Sequence, residues 1–184
     1  MTKTREEFSQ DNYPNEVLLS LQESWDNILS QDCEELGISK EDLLIRLVRK
    51  YVYFDRFTER EHTINLTWQS FFPIIDKIAE VDIKRAANAA GRTVPRNLLK
   101  WRGFEISKSS IEMLMEEVYS RYGGWFNYRK FEEGTSTIYE LSHLYGEKWS
   151  IYLSNYVLSM FKSLLDLSLN LEYKHNLVRF WILD

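Results

Sequence analysis

The chain has 184 residues, of which 44% are hydrophobic and 15% aromatic, with a formal net charge of −5. That is enough apolar material for one sizeable core, or for a headpiece plus a second small domain, and it excludes a disordered chain. The acidic balance excludes broad non-specific binding to nucleic acid, whose phosphates are held mainly by lysine and arginine, so any DNA contact must be local.

Residues 1–14 have no hydrophobic period and read as a flexible arm. Val17, Leu19 and Leu21 then alternate with Leu18, Ser20 and Gln22, the pattern of a short strand with one uniformly apolar side. From Ser24 the period becomes helical, with Trp25, Ile28, Leu29, Cys33 and Leu36 on one face. Gly37 is placed to close that helix in the left-handed conformation, and Ser39 with Asp42 forms a Ser-x-x-Asp start for the next. The second helix is expected to bury Leu43, Leu44, Leu47, Val48 and Tyr51. Cys33, the one cysteine, leaves no disulfide framework and points to a reducing cytoplasm. The chain shows no charged-then-apolar leader, and no run approaches the roughly 20 apolar residues of a spanning helix, so the expectation is a cytoplasmic protein with no membrane partner.

The strand VLLSL, the Leu21–Glu23 step, the turn EELGISKEDL and the trailing LVRKYV resemble the ribbon-helix-helix repressors of the CopG/Arc/MetJ superfamily over residues 15–53. The resemblance implies a homodimer whose paired strands enter the major groove of double-stranded DNA while the amide end of the second helix holds a phosphate. Carried over by position, Glu16, Leu18 and Ser20 face the groove, and Ser39 with Lys40 anchors the phosphate. Two of these depart from the family pattern. Glu16 is repelled by DNA, and Leu18 can meet only something like a thymine methyl. A ribbon-helix-helix unit that dimerises without reading DNA therefore stays open beside the sequence-specific regulator.

Residues 54–106 read as a broken helical connector. FDRFTEREH is charged, INLTW looks briefly extended, and Phe71, Phe72, Ile75, Ile78 and Ala79 supply a helical face with Pro73 expected in a first turn. VDIKRAANAAG is expected to be a small-residue helix ended by Gly91. Lys84, Arg85, Arg92, Arg96, Lys100 and Arg102 make KRAANAAGRTVPRNLLKWRG, residues 84–103, the most basic stretch of the chain, either a solvated face or a second contact for DNA backbone or an acidic partner.

Residues 107–184 read as helix, hairpin, helix, hairpin. A helix opened by Ser107 or Ser109 runs to Gly123-Gly124, WFNYRKF and STIYELSH pair about EEGT, and a long helix presents Trp149, Leu153, Tyr156, Val157, Met160 and Leu164. SLNLEYK and LVRFWIL pair about His175-Asn176. The fold class is α+β, with an antiparallel sheet covered by helices on one side. The segment HLYGEKWS, from His143 to Ser150, resembles less specifically the sensor or output domains of archaeal regulators.

No catalytic constellation is apparent, and the expectation is a non-enzyme without cofactor. His62, His143 and His175 lie in separate segments without ligand spacing for a metal, and no phosphate-binding or nucleophile-elbow motif occurs. His143, beside Gly146, reads as a capping or core histidine. The many C-terminal aromatics are explained by core and dimer interface or, alternatively, by an apolar small-molecule pocket around Tyr128, Tyr139, Trp149 and Tyr156. That pocket would open between the sheet and the Glu147–Asp166 helix. The domain is expected to sense a ligand or to oligomerise.

Overall fold

The computed structural model describes residues 18–61, 64, 66–134 and 136–183, with residues 59–61 by backbone alone. The chain divides into two compact units, residues 1–52 and 53–184. The expected arm and Val17 lie outside the described residues.

In the first unit, Leu18 to Gln22 carry no sheet pairing among the described residues. A strand is defined by its ladder, and the expected ladder is to a second copy, so the VLLSL reading finds no expression within one chain. Helices α1 (Glu23–Leu36) and α2 (Lys40–Lys50) follow. Gly37 closes α1 at φ 63°, with Gly37 N–H donating to the Glu34 carbonyl and Ile38 N–H to that of Cys33. Ser39 caps α2 by accepting from Asp42 N–H at 3.0 Å. The helices thus start and stop where local chemistry requires, but the expected burial does not follow. Leu43 alone is buried in α2, α1 buries none of its residues, and Trp25, Ile28, Leu36, Leu47, Val48 and Tyr51 are all exposed. Two helices have only two inward stripes, too few to remove that much apolar surface from water.

The second unit begins within a π-helical turn, Tyr51–Asp55, and continues through α3 (Arg56–Glu61) and α4 (Trp68–Lys77). Pro73 sits in the interior of α4 and not in its first turn, because Thr67 caps the helix six residues earlier by accepting from Ser70 N–H. Helix α5 (Glu80–Arg102) runs without a break through Gly91 and Pro95 and ends at Gly103, φ 73°. Gly91 therefore does not terminate a helix. Its role is tertiary, since α5 packs along α7 (Glu147–Leu165) and a Cβ at Gly91 would stand 2.4 Å from the Tyr156 carbonyl oxygen. Ser159 seals the same crossing by donating to the Asn88 carbonyl at 2.8 Å. Alanine outranks glycine in a helix by roughly 1 kcal/mol, yet Gly91→Ala is expected to destabilise by about 1–3 kcal/mol, because the obstructing atom is backbone. Urea unfolding reads this directly, and an unchanged or higher midpoint would show that the crossing opens freely.

Helix α6 (Lys108–Met113), capped by Ser107, passes into a π-helical segment, Leu114–Tyr122, that ends at Gly123-Gly124. Strands β1 (Asn127–Glu133), β2 (Ser136–Ser142), β3 (Leu169–Lys174) and β4 (Leu177–Ile182) form an antiparallel sheet of order β1-β2-β4-β3. Both hairpins match the expected positions, and the molecule is α+β. One sheet face carries Tyr139, Leu141, Val178 and Phe180, all inaccessible and covered by α7, with Tyr139 stacked on Phe180 at 4.8 Å and Phe161 edge-on to it. The opposite face sets Arg129, Glu140, Arg179 and Glu172 in one row across all four strands. Opposite charges alternate along that row, so cross-strand neighbours attract. Helix α7 lies between α5 and the sheet and is buried nearly all round. Residues 54–106 and 107–184 thereby share one core, from Ile75 and Leu99 to Phe180.

Candidate functional site

Of the expected groove-facing positions, Glu16 lies outside the described residues, whereas Leu18 and Ser20 are exposed. The expected phosphate anchor is already engaged. Ser39 Oγ donates to Asp42 Oδ2 at 2.7 Å, and Lys40 Nζ is paired with Asp26 Oδ1 at 2.6 Å. Both contacts are at least partly exposed, so a phosphate could compete for the same donors, but it would approach a helix end that carries Glu41 and Asp42 and has Asp26 of α1 beside it. Asp26 escapes sequence reading because it lies fourteen residues away, on the other helix.

The four aromatics expected to share a pocket do not share one. Tyr139 donates to Glu112 Oε1 at 2.5 Å, Glu112 also receives Lys130 Nζ at 3.0 Å, and the buried Tyr128 hydroxyl nearby has no hydrogen-bond partner among the described residues. Burial, and then the charge of Glu112, pushes the Tyr128 phenol well above its ordinary range. Burial and the hydrogen bond to Glu112 do the same for Tyr139, so both phenols stay protonated. Tyr156 is fully buried and shares a 2.7 Å hydrogen bond with Tyr119. Trp149 lines a cavity whose described walls include none of Tyr128, Tyr139 and Tyr156. The interface between the sheet and α7 is packed by Tyr139, Leu141, Leu153, Val157, Met160 and Phe180, and a second cavity, about 500 Å³, opens at its edge, where Leu158 and Lys162 of α7 meet Leu169 of β3 and Asn88 and Arg92 of α5.

The cavity that Trp149 lines, about 530 Å³, lies among α4, α5, the π-helical segment and the turn before β1. Its walls are Trp68 and Phe71 from α4, Trp101 from α5, Tyr119 from the π-helical segment, and Trp125 and Tyr145 from loops, with Leu98 and Val118 behind. No charged side chain among the described residues lines it. Wall and rim are locked from behind: Trp149 Nε1 donates to the Trp125 carbonyl at 2.9 Å, and Tyr145 Oη to the Gly124 carbonyl at 2.6 Å. Trp125 stacks on Tyr119 at 4.7 Å, and Trp68 lies 4.6 Å from Tyr145. Sequence reading missed Trp68, Trp101 and Tyr145, since the wall draws single residues from separate segments and no periodicity links them.

His143 is a structural residue. It is buried, Tyr145 N–H donates to its Nδ1 at 3.1 Å, and its Nε2 therefore carries the proton toward Ser150 Oγ at 2.9 Å. Ser150 Oγ passes its own proton to the His175 carbonyl at 3.2 Å, while Asn176 Oδ1 accepts from Gly146 N–H. The network joins the end of β2, the start of α7 and the β3–β4 turn. Burial, and then the neighbouring His175, lowers the His143 pKa to about 4. No helix among the described residues is long and apolar enough to cross a membrane. No protein-family model matches the chain, and no curated protein matches it.

Proposed function

We propose that the protein is a homodimeric, DNA-binding transcriptional regulator of the ribbon-helix-helix type, with residues 53–184 as its sensing or oligomerisation unit. The observation that carries the reading is the uncovered apolar side of the α1–α2 pair. Trp25 is 56% exposed, Ile28 58% and Val48 63%, although each belongs to a stripe of helical period. In the ribbon-helix-helix arrangement a second copy covers those stripes and pairs with Leu18–Gln22, and Gly37 and Ser39 set the tight turn such a unit needs. Sedimentation at micromolar concentration is expected to give a dimer, lost on Val48→Asp, and a stable monomer would end the reading.

One observation favours the alternative of a dimeric assembly protein without DNA binding, namely the Lys40–Asp26 pair at the phosphate-holding end of α2. Fluorescence anisotropy with labelled duplex separates the two. For the regulator, Asp26→Asn should tighten binding and Lys40→Ala should weaken it across sequences, reducing the salt slope by about one charge. Equal affinities of wild type and both variants for every duplex would leave the dimerisation reading alone.

A further inference from the structure

We propose that the aromatic cavity of residues 53–184 is a binding site for an uncharged, planar aromatic molecule. The inference goes beyond the regulator reading, since the site is built from that unit alone and would exist whether or not the α1–α2 pair meets DNA.

Size comes first. A cavity of about 530 Å³ falls inside the range of small-molecule sites and far exceeds a single trimethylammonium headgroup. Shape and chemistry follow from how the rings are held. Trp149, Tyr145 and Tyr119 spend their polar atoms on protein partners, Trp125 O, Gly124 O and Tyr156 Oη respectively. What these residues leave for the cavity is ring surface, which favours another ring in stacked or edge-on geometry. An anion is disfavoured by what the walls lack. With no charged side chain among the described lining residues, a buried carboxylate or sulfonate would lose its hydration without gaining a counter-ion. Asn97, at the rim on α5, supplies an amide able to donate to or accept from a heteroatom on the ligand edge. The back wall of Leu98, Val118, Tyr119 and Trp149 is buried and belongs to the core, so the site is pre-formed on that side. Trp101 and Val94 are 41% and 37% exposed and form the accessible rim.

The test uses N-phenyl-naphthylamine, a neutral dye that brightens in apolar sites, with the full-length protein. Saturable binding of one dye per chain is expected, with the sulfonated counterpart, anilinonaphthalene sulfonate, weaker by about tenfold or more. Trp101→Ala, which removes a wall, and Val94→Trp, which fills the space, should each weaken the neutral dye about tenfold. Both positions are on the rim, so far-UV circular dichroism and melting should stay near wild type. Val94→Trp deletes no packing and keeps the test valid if Trp101→Ala unfolds. Failure of the neutral dye to saturate, equal affinity for the sulfonate, or affinity undiminished in the filled variant would each overturn the proposal. The last result would place the dye on other apolar surface, such as the α1–α2 face.

Discussion

Trp149→Ala is expected to lower the stability of the second unit by about 3–5 kcal/mol, the range for deleting a large buried aromatic. Trp149 is 8% exposed, stacks on Tyr152 at 4.9 Å with rings nearly parallel, and meets Phe71 and Trp125 edge-on, each at 5.7 Å. Removing it abolishes all three contacts and leaves the Trp125 carbonyl without its 2.9 Å donor. The expected pocket would set Trp149 between the sheet and α7, but its ring neighbours lie on α4, on α7 itself and in the loops flanking the β1–β2 hairpin. It therefore docks the start of α7 against the helical side. Denaturant unfolding followed by far-UV circular dichroism measures the loss. A value below about 1 kcal/mol, the scale of an ordinary surface substitution, would show that the wall yields to solvent and is not a fixed one.

Acidification is expected to destabilise the same unit through His143, by at most about 3 kcal/mol and by less where solvent screens the ring, from the span between an ordinary histidine pKa and about 4. Above pH about 6.5 the imidazole is neutral in both folded and unfolded chains, and its contribution is wholly present. Between about 6.5 and about 4 only the unfolded chain takes the proton, so stability falls steadily. Below about 4 the folded chain is protonated as well and the loss levels off. Protonation would place a donor on Nδ1, where Tyr145 N–H already points, which is why the network of Ser150, His175 and Asn176 holds the neutral ring. Urea midpoints of wild type and His143→Gln at pH 7 and pH 4.5 isolate the effect, because acid sensitivity from carboxylates is common to both. The wild type should lose more than the variant over that interval. Equal losses would mean that the imidazole is protonated without cost.

Local chemistry was legible wherever neighbours in sequence settle it. The Gly37 terminus, the Ser39 and Ser107 caps, both hairpins and the inner face of α7 follow from turn residues and periodicity, interactions that span a few residues. Gly91 reads as a helix end because glycine is a poor helix former, and only the approach of α7 shows that the missing side chain makes room for the Tyr156 carbonyl. Ser159 of α7 is buried against α5, where it donates to the Asn88 carbonyl, and Ser150 is buried on the opposite side of the helix against His143 and the His175 carbonyl, partners that no local pattern announces. Lys40 reads as a free cation until Asp26 is brought to it from the neighbouring helix. The cavity depends on tertiary structure most of all. Trp68, Trp101, Tyr119, Trp125, Tyr145 and Trp149 come from separate stretches of chain, so the sequence by itself determines that many rings must be housed. Which of them close the core and which surround open space is decided by where α4 and α5 lie against α7, through contacts between residues far apart in the chain.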